Sequence, residues 1–237
     1  MDKYENNDFI NKYVGIWAYG YQNGFGGTEG VYNTVKSFVI QRCKLNSEVS
    51  ILDIGTGVGR TAMDCAENLI NSEVIGIDTS VMSIEWAKRI LCNEKEKQVK
   101  IDLSNQGFGY IYINTKNLLN LQLYNISLEK LADDKQFDIV CAVNFFDRCI
   151  DIEECIFQIR KIMKNGGRLI GAMPFNFQKK KDWEKYGDKN KFISLMKKNN
   201  FVVEQYISDV VYRETLDAHG AYNEFNVDVF EFVKEEK

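Results

Sequence analysis

The chain has 237 residues, of which 45% are hydrophobic and 27% are charged, and its formal net charge is −4. This length and composition allow a buried core and fit one α/β domain with small additions. No apolar run approaches the roughly 20 residues that cross a bilayer, and the polar start at 1–8 is unlike a secretory signal, so we expect a cytoplasmic protein without a membrane segment. The acidic net charge disfavours a nucleic acid as a partner.

The first 30 residues combine aromatic side chains with glycines. The aromatic residues are Tyr4, Phe9, Tyr13, Trp17, Tyr19, Tyr21 and Phe25, and a glycine-rich stretch with Gly24, Gly26, Gly27 and Gly30 ends the segment. A helix that folds over a pocket, followed by a flexible connection, is compatible with this order, so residues 1–30 are predicted to form an N-terminal lid. The alternative is that the rings only cover the edge of a sheet.

A strand, a glycine turn, a helix and a second strand follow an initial helix. Apolar periodicity predicts a helix over 28–43, strands at about 49–54 and 74–78, and a helix between them. The turn reads Asp53-Ile54-Gly55-Thr56-Gly57-Val58-Gly59-Arg60. Glycine can take φ > 0 and has no Cβ, so a ligand can lie on this backbone. Asp78 ends the second strand, where its carboxylate can accept hydrogen bonds from the hydroxyl groups of a ribose. The pattern therefore predicts a nucleoside-containing cofactor.

The remainder alternates strands and helices after one interruption. Ser80 can cap the next helix, and the interruption at 93–118 is either an added hairpin or an extended flap. Further strands are predicted at 119–124, 137–144, 168–173, about 201–208 and about 226–233, with helices at 152–163 and 192–198.

The turn, D-x-G-x-G-x-G, together with the acid that ends the second strand, resembles motif I of class I S-adenosylmethionine-dependent methyltransferases. The strand at 137–144, the helix, the Gly166-Gly167 turn and the next strand are similar to the second half of that family, so the resemblance extends over about two-thirds of the chain. It implies an α/β fold: a Rossmann-like, doubly wound seven-stranded sheet with an antiparallel last strand and helices on both faces, in a single domain spanning 1–237. The implied activity is methyl transfer from S-adenosylmethionine to an oxygen or nitrogen atom of a small molecule or peptide, leaving S-adenosylhomocysteine.

Two other interpretations stay open from the sequence. A NAD(P)-dependent Rossmann oxidoreductase would carry G-x-G-x-x-G, but Gly59 comes one residue too early for it, and Asp53 would repel a pyrophosphate while suiting an ammonium or sulfonium group. The other alternative is a non-catalytic S-adenosylmethionine-binding partner subunit. A weaker resemblance to mercaptohistidine (ovothiol-type) methyltransferase domains, carried by Val58-Gly59-Arg60, 144–148 and Arg213-Glu214-Thr215, suggests a small, polar acceptor.

These motifs lead to a predicted set of site residues. The predicted cofactor-binding residues are Asp53, Gly55, Thr56, Gly57, Arg60, Asp78, Thr79, Asn125 and Asn144. A loop is predicted at 212–223 on the same rim, and it carries both catalytic candidates, Glu214 and His219; an imidazole can accept a proton near neutral pH, although His219 could equally be an exposed loop side chain. The predicted acceptor contacts are Tyr19, Tyr21, Asp147, Arg148, Arg213 and Tyr222. The six cysteines and His219 lack ligand spacing, so no metal site is predicted.

Overall fold

Strands and helices alternate along most of the chain in the computed structural model, which describes residues 6–43, 48–131 and 135–235. The helices are α1 (Asn7–Lys12), α2 (Glu29–Arg42), α3 (Arg60–Asn68), α4 (Val81–Leu91), α5 (Ile152–Ile162), α6 (Lys180–Tyr186) and α7 (Lys189–Lys198). The strands are β1 (Ser50–Ile54), β2 (Glu73–Asp78), β3 (Gln98–Leu103), β4 (Gly109–Asn114), β5 (Leu121–Asn125), β6 (Phe137–Val143), β7 (Met163–Met173), β8 (Phe201–Thr215) and β9 (Tyr222–Lys234). A π-helical turn, Tyr13–Ala18, continues α1, and none of the described helices is both long and apolar enough to cross a bilayer.

The described strands form a seven-stranded sheet in the order β5-β2-β1-β6-β7-β9-β8. The pairs from β5 to β7 are parallel, whereas β9 runs antiparallel to both β7 and β8. The predicted doubly wound sheet with an antiparallel last strand is therefore confirmed. Chain order reverses between β1 and β6, and ligands in open α/β sheets bind at such a switch point, beyond the carboxyl ends of the strands.

Two apolar layers cover the two faces of the sheet. Successive side chains of a strand point to opposite faces, so Ile51 joins the layer beneath α2, α3 and α4, while Leu52 joins the layer beneath α5 and α7. The parallel strands are apolar on both sides because both layers bury them.

The interruption at 93–118 contains the antiparallel hairpin β3–β4, so of the two forms predicted for it the hairpin is correct. The hairpin packs against the N-terminal segment: a Cβ at Gly15 would lie 2.9 Å from the Ile111 side chain and 3.2 Å from that of Ile101. Glycine therefore lets the π-helical turn lie directly on the hairpin.

Both boundaries predicted for the loop at 212–223 are wrong. Strand β8 continues to Thr215 and β9 begins at Tyr222, and these two residues are register partners, so only 216–221 turn the chain. The N-terminal segment holds this extension: the Trp17 indole N–H donates to the Thr215 carbonyl (2.8 Å), and the Arg213 N–H donates to the Gly27 carbonyl (2.8 Å). Because these partners lie about 200 residues away in sequence, local periodicity could not reveal them.

Candidate active site

A cavity of about 630 Å³ opens beyond the carboxyl ends of β1, β2 and β6. Its walls come from the turn after β1, the ends of β2 and β6, the segment after β5, the N-terminal helix and the extended β8–β9 arm. The volume and the position at the switch point are those expected of a cofactor and a small acceptor bound side by side.

The glycine turn has the backbone that the sequence predicts. Gly55, Gly57 and Gly59 have φ values of 63°, 55° and 84°, a left-handed conformation that other residues rarely adopt. A Cβ at Gly55 would lie 2.8 Å from the Phe145 ring, and one at Gly57 would overlap the Tyr13 hydroxyl. The glycines therefore expose backbone to the cavity and also make room for two cavity-lining aromatic side chains.

Asp78 presents its carboxylate to this cavity from the end of β2. Its two oxygens accept the Gly57 N–H and the Ser80 N–H, each at 2.8 Å. These bonds hold the carboxylate against the glycine turn, and a carboxylate oxygen can accept more than one hydrogen bond, including one from a hydroxyl group. The geometry therefore fits the ribose role predicted for Asp78.

Asp53 is buried at the floor of the cavity, with 1% of its surface exposed. One carboxyl oxygen accepts the Thr56 hydroxyl (2.6 Å) and the Ala62 N–H (3.0 Å). Burial raises the pKa of Asp53 from 3.8 to about 7, although these two hydrogen bonds act in the opposite direction. A buried carboxylate of this kind is stabilised when a cation enters the cavity, because the cation offsets the lost hydration.

The segment after β5 reaches the cavity through residues that sequence reasoning missed. Asn125 is exposed and donates its side-chain amide to the Asp78 carbonyl (3.0 Å), outside the cavity. Ile126, Ser127 and Leu128 line the cavity instead, together with Thr79. The sequence signal for this contact was the apolar-polar-apolar triplet directly after the third core strand. The contact begins one residue after Asn125, the position that was predicted.

Asn144 directly follows β6 and has a strained backbone. Its φ is 53°, its N–H donates to the Ala172 carbonyl (2.7 Å), and its buried Oδ1 has no hydrogen-bond partner among the described residues. Left-handed non-glycine residues and unsatisfied buried oxygens occur most often at functional sites. Asn144 and Arg148 line the cavity, whereas Asp147 is buried outside it, with its carboxylate 3.6 Å from the Arg148 Nε.

Arg60 lines the cavity, but its guanidinium is used to hold the N-terminal segment. It donates to Asp64 (3.1 Å) and to the Ala18 carbonyl (2.6 Å), and it stacks on the Tyr21 ring at 4.3 Å. Tyr19 is fully buried and donates its hydroxyl to the Val58 carbonyl (2.7 Å). The structure therefore places Tyr19 and Tyr21, both predicted acceptor contacts, outside the cavity.

The N-terminal aromatic residues that do line the cavity are Phe9, Tyr13 and Trp17. They recur every four residues, and helical residues four apart lie on one face. Tyr19 and Tyr21 fall outside this series. The spacing was therefore a usable signal, since it separates the rings that face the cavity from those that brace the helix.

Alternation along β8 and β9 decides which residues of the arm reach the cavity. Tyr212 and Glu214 line it from β8, and Asn223 and Phe225 line it from β9. The intervening residues lie outside the cavity: Arg213 pairs with Glu224 (2.7 Å) and stacks on the Tyr222 ring at 4.4 Å.

His219 lies at the exposed tip of the β8–β9 turn, outside the cavity. Its backbone N–H donates to the Asp217 carboxylate (2.9 Å), which stabilises the turn. Of the two predicted catalytic residues, the structure therefore brings only Glu214 to the site.

The strand order, the switch-point cavity and the two carboxylates around a glycine turn define a Rossmann-like α/β protein that binds a nucleoside cofactor. A family described as "Methyltransferase domain" matches residues 52–169, which extend from β1 into β7. The chain belongs to the class I S-adenosylmethionine-dependent methyltransferases.

Individual relatives are distant. The ubiquinone biosynthesis O-methyltransferase of Pelagibacter ubique is 25% identical over 197 residues, which cover 73% of this chain and 70% of that protein. The mitochondrial enzyme of the same name from Dictyostelium discoideum is 24% identical over 122 residues, or 52% of this chain and 34% of that protein. The crystal structure of magnesium protoporphyrin IX methyltransferase from Synechocystis, with S-adenosylmethionine bound, has a TM-score of 0.55 and 16% identity, covering 87% of this chain and 80% of that one. A structural likeness at this identity establishes the fold alone.

Proposed function

We propose that this methyltransferase binds S-adenosylmethionine across the glycine turn between Asp53 and Asp78 and methylates a small molecule held beneath the N-terminal helix. The observation that carries the proposal is that both carboxylates face one cavity, with the left-handed backbone of Gly55 and Gly57 between them. A donor with a ribose at one end and an ammonium at the other matches that arrangement of charge.

Each part of the donor has a complementary group in the chain. Asp78 accepts hydrogen bonds from the ribose hydroxyl groups, and the apolar side chains of Ile126 and Leu128 flank the adenine base. Asp53 and the turn backbone hold the methionine ammonium, while Asn144 lines the same cavity just after β6. When bound, S-adenosylmethionine supplies an electrophilic methyl carbon on a positively charged sulfur.

The protein's contribution to the transfer is alignment and exclusion of water. The leaving group is a neutral sulfide, so its departure needs no acid; the acceptor atom and the methyl carbon must be held in line about 3 Å apart. The Trp17–Thr215 hydrogen bond connects the N-terminal helix to the β8–β9 arm above the cavity. Glu214 is the proposed base, a role that typically contributes about 10²- to 10⁴-fold.

Calorimetry with S-adenosylhomocysteine tests the donor site. Replacing Asp78 with asparagine should weaken binding by about 1–3 kcal/mol, since the amide accepts fewer hydrogen bonds than the carboxylate. The matched control is Glu73→Gln, on the same strand but at its other end, where Glu73 pairs with Lys135 on the surface (2.9 Å). Unchanged affinity in Asp78→Asn, or tighter binding of NAD than of S-adenosylhomocysteine, contradicts the proposal.

Turnover separates this proposal from that of a donor-binding partner subunit. Incubating the protein with S-adenosylmethionine carrying a radioactive methyl group and a metabolite extract should label a small molecule, and Glu214→Gln should reduce that labelling by about tenfold or more. Donor binding without any labelled product supports the partner subunit instead. A cytoplasmic location and the exclusion of nucleic acid remain predictions from the sequence.

A further inference from the structure

We propose that the acceptor is an amine, bound as a cation by aromatic ring faces and the Glu214 carboxylate before its nitrogen is methylated. This inference rests on the proposed function and specifies the substrate class of the same site. The relatives whose names specify an O-methyltransferase make an oxygen acceptor the main competitor.

The first wall of the acceptor half is formed by three rings on one helical face. The centroids of Phe9 and Trp17 are 5.5 Å apart, those of Tyr13 and Trp17 are 6.1 Å apart, and those of Phe9 and Tyr13 are 6.4 Å apart. All three line the cavity. The faces of aromatic rings carry negative potential and attract ammonium groups, which is the role that the proposal gives to this wall.

The second wall is made by Tyr32 of α2 and by Tyr212 and Glu214 of β8. The rings of Tyr32 and Tyr212 are 6.4 Å apart, and both residues line the cavity beside Glu214. Burial raises the pKa of Tyr212 well above its usual value, with further contributions from Tyr32, Glu214 and Tyr13. The two walls meet where the Trp17 indole N–H donates to the carbonyl of Thr215, the residue after Glu214 (2.8 Å).

The cations that line the cavity are already engaged. Arg60 binds Asp64, and Arg148 lies beside Asp147. The Lys12 ammonium lies 5.3 Å from the centroid of the Trp17 ring, so this aromatic group already accepts a cation from within the protein. A second ammonium, from an acceptor, would find the same kind of ring faces with the Glu214 carboxylate beside them.

The transfer step follows from these contacts. An ammonium acceptor first gives one proton to Glu214, which frees the lone pair on nitrogen. That lone pair forms the new bond to the methyl carbon while the electron pair of the carbon–sulfur bond moves to sulfur, giving neutral S-adenosylhomocysteine and a methylated ammonium. Because the positive charge passes from sulfur to nitrogen while Glu214 holds the proton, the aromatic rings stabilise the charge on both sides of the step.

Choline and 3,3-dimethylbutan-1-ol provide a matched test, since they share one shape and differ by the positive charge. Calorimetric titration into protein saturated with S-adenosylhomocysteine should show choline binding at least tenfold more tightly than the neutral alcohol. Glu214→Gln and Tyr13→Leu should each remove most of that preference. Glu224→Gln, a carboxylate on the outer side of the same arm, should leave it unchanged.

Equal affinities for choline and the alcohol, no binding of choline, or a preference for catechol over choline would each overturn the amine assignment. The proposed methyltransferase function would survive any of these results, because saturation with S-adenosylhomocysteine is measured first in the same titration. If the protein fails to bind S-adenosylhomocysteine at all, it is the proposed function that fails.

Discussion

Replacing Asp53 with asparagine should make the protein more stable above pH 7 and weaken its hold on the donor. The pKa of this buried carboxyl is raised from 3.8 to about 7. A shift of about three units corresponds to about 4 kcal/mol at 1.36 kcal/mol per unit, an upper figure for the cost of ionising Asp53 in the folded state. Asparagine is nearly isosteric, and its Oδ1 can accept the same Thr56 and Ala62 hydrogen bonds.

The sign of the pH dependence follows from proton uptake. Between pH 4 and 7 the folded protein retains a proton on Asp53 that the unfolded chain releases, so the stability contributed by this group falls as pH rises and is lost above pH 7. Asparagine lacks this dependence. The stability of Asp53→Asn relative to the native protein should therefore increase by about 3–4 kcal/mol between pH 4 and pH 8.

Urea unfolding followed by tryptophan fluorescence at pH 4, 6 and 8 measures this difference. Asp102→Asn is a control of opposite sign, because hydrogen bonds from Ser104 lower the pKa of that exposed carboxylate. Parallel pH profiles for Asp53→Asn and the native protein would refute the reasoning.

Donor binding gives the same prediction a second measurement. The ammonium of S-adenosylhomocysteine favours ionised Asp53, so affinity should rise several-fold from pH 6 to pH 8 in the native protein and change little in Asp53→Asn. A variant that gains stability while losing affinity is expected when a buried charge serves binding.

Three further predictions concern the turn, the core and the arm. Gly57→Ala should lower the free energy of unfolding by about 1–2 kcal/mol and weaken S-adenosylhomocysteine binding, because the φ of 55° at this position disfavours alanine and the added Cβ would displace the Tyr13 hydroxyl. Thermal melts measure the stability and calorimetry measures the binding; unchanged values would contradict the packing described. Glu231→Gln should lower the free energy of unfolding in urea by about 2–4 kcal/mol, because the fully buried Glu231 carboxylate binds Arg42 (2.8 Å) and Arg168 (2.6 Å). A loss below about 0.5 kcal/mol would show that these ion pairs do not stabilise the fold. His219→Ala should leave methyl transfer within about twofold of native, as expected for an exposed turn residue, and a loss of tenfold or more would restore His219 as a catalytic candidate.

Local sequence was sufficient for the elements that carry their own signal. Apolar runs located the core strands, and Asp53, the glycines and Asp78 marked the switch-point site because each is tied to a strand end by a fixed short spacing. Ser80 was identified as an N-cap by its position alone, and its hydroxyl accepts the Ser83 N–H at 3.1 Å.

Tertiary structure decided which of the candidate side chains meet. The extension of β8 and β9 depends on hydrogen bonds from Trp17 and Gly27, distant in sequence, and this extension turns Glu214 toward the cavity and leaves Arg213 and His219 outside. In a strand or a helix, shifting the register by one residue moves each side chain to a different face. Long-range contacts fix the register here, so they decide which of these side chains face the cavity. The sequence by itself therefore predicted the fold and the residues of the proposed donor site, while packing of the N-terminal helix on the β8–β9 arm decided which residues form the walls of the proposed acceptor site.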